Sequence, residues 1–156
     1  MSEFTTKKAA SPYNTTGPGW GRELIHDVAI VELPTTALQT GDITWLMYVP
    51  AGAVVVDGYV KADAIDTGSN LQYNIGDSAT TNLFFADTTT GQEAVGSSSM
   101  AVTARYTKFA SATRLKMTVA TTAETAAGGT LTFGLSYFVD PEINVTTGVT
   151  PLTLTA

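Results

Sequence analysis

The chain has 156 residues, 44% of them hydrophobic and 14% charged, a formal charge of −6, one histidine and no cysteine. That is one domain's length, apolar enough to bury a core and too apolar to be disordered throughout. The acidic balance lacks the cationic footprint that phosphates need, so no nucleic-acid partner is expected. Without cysteine there is no disulfide, no thiolate ligand and no thiol nucleophile.

Residues 1–22 are rich in Thr, Ser, Pro and Gly and close on Gly17-Pro18-Gly19-Trp20-Gly21. They read as an extended N-terminal arm rather than core. Trp20 is its exception, because a tryptophan between glycines needs a surface to lie on. The opening MSEFTTKKAAS has two lysines but no apolar run, so no signal peptide is expected. No apolar run approaches the ~20 residues of a membrane span. The chain is expected to be made and kept in the cytoplasm.

Residues 23–140 read as the folded domain. Leu24 to Leu33 is a strand with apolar residues on both faces, as in a strand covered twice or one at a subunit contact. Ile43 to Val49 is the next strand. Pro50 and Gly52 then make a tight corner, Pro50 through its fixed φ and Gly52 through its access to φ > 0. In the long strand that follows, period two puts Val54, Val56, Gly58, Val60, Ala62 and Ala64 on one face, and Asp57, Tyr59, Lys61 and Asp63 on the other. After a polar turn at Asp66–Asn70, Leu71, Tyr73 and Ile75 alternate with Gln72 and Asn74.

Asp77 to Ser99 reads as a long loop with one short strand or helical turn, Leu83, Phe84 and Phe85 plugging the end of the core. From Ala101, Val102, Ala104 and Tyr106 alternate with Thr103, Arg105 and Thr107, which predicts a strand, with a helical face through Val102, Tyr106 and Phe109 as the rival. Leu115, Met117 and Val119 alternate cleanly, and Gly128-Gly129 turns the chain. Leu131, Phe133, Leu135, Tyr137 and Val139 then face inward. Residues 141–156 form an extended β-prone tail broken by prolines. About eight strands with regular turn signals and little helix predict an all-β fold, a jelly-roll-like antiparallel β-sandwich with extended terminal arms.

No catalytic constellation emerges. His26 and Asp27 are adjacent in a strand and point to opposite faces, so they form no dyad. No serine lies in a nucleophile elbow. Asp57 and Asp63 share a face but stand too far apart to flank a glycosidic bond. Asp63, Asp66 and Asp77 offer turn oxygens of the kind calcium takes, but at no recognised spacing, and acidic turn residues more often cap. Trp45 and Tyr48 have opposite parity, so they make no sugar-stacking platform, and Trp45 is expected in the core. No metal, cofactor or enzymatic activity is expected.

One resemblance gives the chain a candidate role. It is carried by Tyr48-Val49-Pro50-Ala51-Gly52-Ala53-Val54, by Thr67-Gly68-Ser69-Asn70, by Tyr73-Asn74-Ile75-Gly76-Asp77, by Lys116–Val119 and by the closing strand from Gly129 to Phe133. This pattern, spanning about Ile43 to Val139, resembles capsid decoration (cement) proteins of tailed double-stranded DNA bacteriophages. The resemblance implies a homotrimer on the outside of the virion, bound to the major capsid protein and bridging its subunits, with no catalytic residues. Lys7, Lys8, Trp20 and Arg22 are then the expected capsid contacts. A tail-fibre or head-fibre domain that binds a receptor or carbohydrate is the alternative.

Overall fold

The computed structural model describes residues 3–5 and 24–140. Nine strands run in chain order: β1 Glu3–Thr5, β2 Ile25–Leu33, β3 Ile43–Val49, β4 Ala53–Ala62, β5 Gln72–Gly76, β6 Phe85–Thr88, β7 Gly96–Ser99, β8 Thr113–Thr121 and β9 Gly129–Val139. The one helical element described is a 3-10 turn at Val102–Ala104. The strands build two sheets, ordered β1-β3-β8-β5-β6 and β2-β9-β4-β7. All pairings are antiparallel except that of β1, which lies parallel to the β3 edge, Thr5 opposite Trp45. Within the expected N-terminal arm, Glu3–Thr5 thus extends a sheet; Lys7, Lys8, Trp20 and Arg22 lie outside the described residues, as does the 141–156 tail.

From β2 onward every connection crosses between the sheets except β5 to β6, and the resulting orders, β3-β8-β5-β6 facing β2-β9-β4-β7, are jelly-roll-like. Alternation supplies the core. Leu115, Met117 and Val119 from β8 meet Leu131, Phe133, Leu135 and Tyr137 from β9, all buried. Phe84 and Phe85 are buried too, with ring centroids 6.3 Å from that of Phe133, and partly buried Leu83 packs against the cluster. Between them they plug the core as expected.

Four local expectations fail, each for a reason that alternation cannot register. A bulge between Val55 and Asp57 makes Val56 an extra residue, so Val55 rather than Val54 or Val56 aligns with the inward set of Gly58, Val60 and Ala62. A second bulge, between Trp45 and Met47, buries Leu46 and Met47 side by side and puts Trp45 and Tyr48 on the same outer face. The Asp77–Ser99 stretch, expected to hold one short strand or helical turn, holds two strands, β6 and β7, one in each sheet. Two four-residue strands, Phe-Ala-Asp-Thr and Gly-Ser-Ser-Ser, hold one large apolar residue between them and carry no apolar period to read. Finally, Ala101–Thr107 is neither strand nor α-helix; only Ala104 of its expected inward set is buried, whereas Val102 and Tyr106 are exposed.

At the Pro50–Gly52 corner, the Ala53 N–H donates to the Pro50 carbonyl and Gly52 takes φ +81°. The Gly52 carbonyl also accepts the Asp140 N–H. Ile25 lies opposite Tyr137, so residues 24 and 140 leave the sandwich at the same end as this corner.

Candidate interaction surfaces

Two outer sheet faces and one loop knot carry the polar chemistry. On the five-stranded sheet, the β3 bulge turns Trp45 and Tyr48 toward the same neighbour, Arg114 of β8. The Arg114 guanidinium carbon lies 4.2 Å from the Trp45 ring centroid and 5.7 Å from that of Tyr48. Lys116 Nζ approaches Trp45 to 5.7 Å. Each cation gains from the negative face of the ring below it. Trp45 is therefore not a core residue; it anchors an aromatic–cation strip on a chain of overall negative charge. The guanidinium occupies the ring faces on which a sugar would stack. Alternation alone concealed this cluster, though Arg114 and Lys116 on the outward face of a clean strand were its visible half.

On the four-stranded sheet, His26 and Asp27 do point to opposite faces. Asp27 is buried and accepts the Tyr137 hydroxyl at 3.0 Å. His26 is exposed, with Nδ1 2.9 Å from Ser136 Oγ on the paired strand and its ring stacked on Tyr59, centroids 6.0 Å apart. Tyr59 in turn lies over Gly134, where a Cβ would land inside its ring. Among the described residues, this His–Ser contact sits on an open sheet face, with none of the enclosing walls that make such a pair a useful nucleophile and base.

The acidic turn residues are engaged by the backbone. Asp66 is fully buried, and its Oδ1 accepts the N–H groups of Gly68 and Thr125 at 3.0 and 2.8 Å. Its Oδ2 accepts those of Leu71 and Glu124 at 3.0 and 3.2 Å. Burial pushes the carboxyl pKa up, but the four hydrogen bonds outweigh it and hold the group below its ordinary 3.8. Asp66 also donates its N–H to Gly91 and accepts from Glu93 through its carbonyl. It thereby ties together the β4–β5, β6–β7 and β8–β9 connections. Asp63 accepts the Thr130 N–H and Asp77 those of Ala79 and Thr80. Among the described residues, no group of three or more His, Cys, Asp or Glu side chains converges as metal ligands would. Nearby, the buried Tyr73 hydroxyl donates to the Thr90 carbonyl, and burial lifts its pKa far above the phenol range.

No protein-family model and no curated protein matches the chain. Solved structures do. One chain of the cyanophage Pam1 capsid asymmetric unit aligns with a TM-score of 0.70 at 23% identity, covering 86% of this chain and 98% of that one. A chain of the Ralstonia phage GP4 capsid aligns with a TM-score of 0.71 at 24% identity, covering 89% and 99%. At such identities the likeness is one of fold.

Proposed function

We propose that this chain is a non-enzymatic structural protein of a bacteriophage virion, one that binds the outside of the capsid and stabilises the shell by bridging major capsid subunits. The observation that carries this reading is the extent of the fold likeness, which takes in 98% and 99% of two chains from phage capsids. The polar chemistry supports it. The carboxylates of Asp63, Asp66 and Asp77 serve backbone N–H groups, the sheet faces are open, and the aromatic–cation strip offers surface rather than a cleft.

A bridging protein works by area and reach. In this reading residues 1–22, beyond the Glu3–Thr5 strand that pairs with β3, and residues 141–156 are straps, with Trp20 as an apolar anchor and Lys7, Lys8 and Arg22 as charge contacts. A homotrimer engages the shell three times at once, which converts weak single contacts into tight binding through effective concentration. The outer face of β2, with Ile30 62% exposed, suits a contact between copies.

The test is reconstitution. Purified shells lacking this chain are mixed with the full-length protein or with residues 23–156. The full-length protein should co-sediment with the shells and raise their disruption temperature. The truncated protein keeps β2–β9 and should fold, yet fail to decorate. Full-length protein that stays in the supernatant would overturn the proposal; full decoration by the truncated form would remove the N-terminal strap from it.

A further inference from the structure

Residues 101–109 fold back along β4. The Tyr106 N–H donates to the Val55 carbonyl at 2.7 Å, the Val55 N–H to the Thr107 carbonyl, and the Phe109 N–H to the Ala53 carbonyl. Ala104 and Phe109 are buried beneath the segment, and the Thr107 hydroxyl closes it on the Ala104 carbonyl. The backbone is thus held firmly, yet it holds Tyr106 at φ +65°, a region costly for a bulky L-residue. Asp87, in β6, and Glu93, in the β6–β7 connection, also have positive φ, but neither is aromatic or apolar. Tyr106 is 73% exposed and Val102 72%, the two most exposed large hydrophobic side chains among the described residues. The strain costs stability and the exposed apolar surface adds none, and packing among the described residues offsets neither.

The charges around the segment cancel. Arg105 pairs with Asp57 at 3.3 Å, and Lys108 with Asp140 at 3.1 Å. A locally neutral, apolar projection on an acidic chain complements an uncharged apolar recess, and suits neither phosphates nor a polybasic segment. It also stands at the end of the sandwich from which residues 24 and 140 depart. We propose that Ala101–Tyr106 is a preformed docking knuckle, whose Val102 and Tyr106 side chains enter an apolar recess on a shell subunit. This rests on the capsid reading above for the identity of the partner. A tyrosine held rigid and displayed beside an arginine is the composition of an interface hot spot, and its ordering cost is met at folding rather than at binding.

Full-length Tyr106→Asn, Tyr106→Gly and Val102→Ser proteins test it, with thermal midpoint, oligomeric state and shell binding measured on each. Asn and Gly accept the positive φ, so both Tyr106 variants should melt at or above the wild-type temperature. All three should keep the wild-type oligomeric state and bind shells roughly tenfold or more weakly. Wild-type-like binding by the Tyr106 variants, while the wild type itself decorates, overturns the knuckle and leaves the capsid reading intact. Loss of binding together with a changed oligomeric state also overturns it, because the knuckle would then contact a second copy of the chain. Failure of the wild type to bind shells removes both proposals.

Discussion

Replacing Asp66 with asparagine tests how this fold is held at the end away from residues 24 and 140. The carboxylate accepts four backbone N–H groups, two on each oxygen. An asparagine oxygen can keep one pair, but its NH2 group then faces the other two donors. Two charge-assisted bonds are lost at about 1.5–3 kcal/mol each, so Asp66→Asn should cost about 3–6 kcal/mol. That is a large share of the ~5–15 kcal/mol typical of a domain. With a urea m-value of about 1.5–2 kcal/mol/M, the unfolding midpoint should fall by roughly 1.5–4 M. Asp63→Asn is the control: Asp63 accepts one backbone N–H, from Thr130, which an amide oxygen can still take, so its cost should stay below about 1 kcal/mol. If Asp66→Asn unfolds within about 1 kcal/mol of the wild type, the knot does not organise the three connections and the argument fails.

Three further outcomes follow from the same structure. The Asp66 pKa is lowered on folding, so its stabilisation is complete above the unfolded value near 3.8 and is lost as pH falls through the lower folded value; urea titrations at descending pH should show a loss that Asp66→Asn lacks, and identical acid limbs would refute it. Gly134→Ala should force Tyr59 off its seat and cost about 1–3 kcal/mol in denaturant, with the His26–Tyr59 stacking lost from the aromatic NMR shifts; an unchanged stability and spectrum would contradict the close packing seen there. A double-mutant cycle on Trp45→Ala and Arg114→Ala should return a coupling of about 0.5–1 kcal/mol, and zero coupling would mean that the strip is adjacency without interaction.

Much of the fold was legible because period two survives wherever a strand has one buried face. In β8 and β9 every inward residue of the alternation lies on the core side, from Leu115 to Val139. The failures cluster where one residue changes the phase. Nothing in Trp45-Leu46-Met47 announces a bulge, yet that single insertion moves Trp45 from the core to the surface and creates the Arg114 cluster. Beyond Phe85, β6 was illegible, and so was β7, because backbone pairing to Tyr73, Ile75 and the end of β4, rather than apolar content, makes them strands. Val102 and Tyr106 misled in the opposite sense. Their alternation imitates an inward-facing set, but the β4 edge captures the backbone at Val55 and turns both side chains outward. The polar hub at Asp66 was visible only as an acidic turn residue, since its partners at Glu124 and Thr125 lie far along the chain.

The central claim is a position in a particle, and electron cryomicroscopy of virions carrying this chain, labelled at one terminus, measures it directly. The proposal predicts density for the two-sheet sandwich on the outer capsid surface, spanning neighbouring major capsid subunits, with the label beside it. Label confined to the tail or its fibres, or virions that lack the chain, would contradict it.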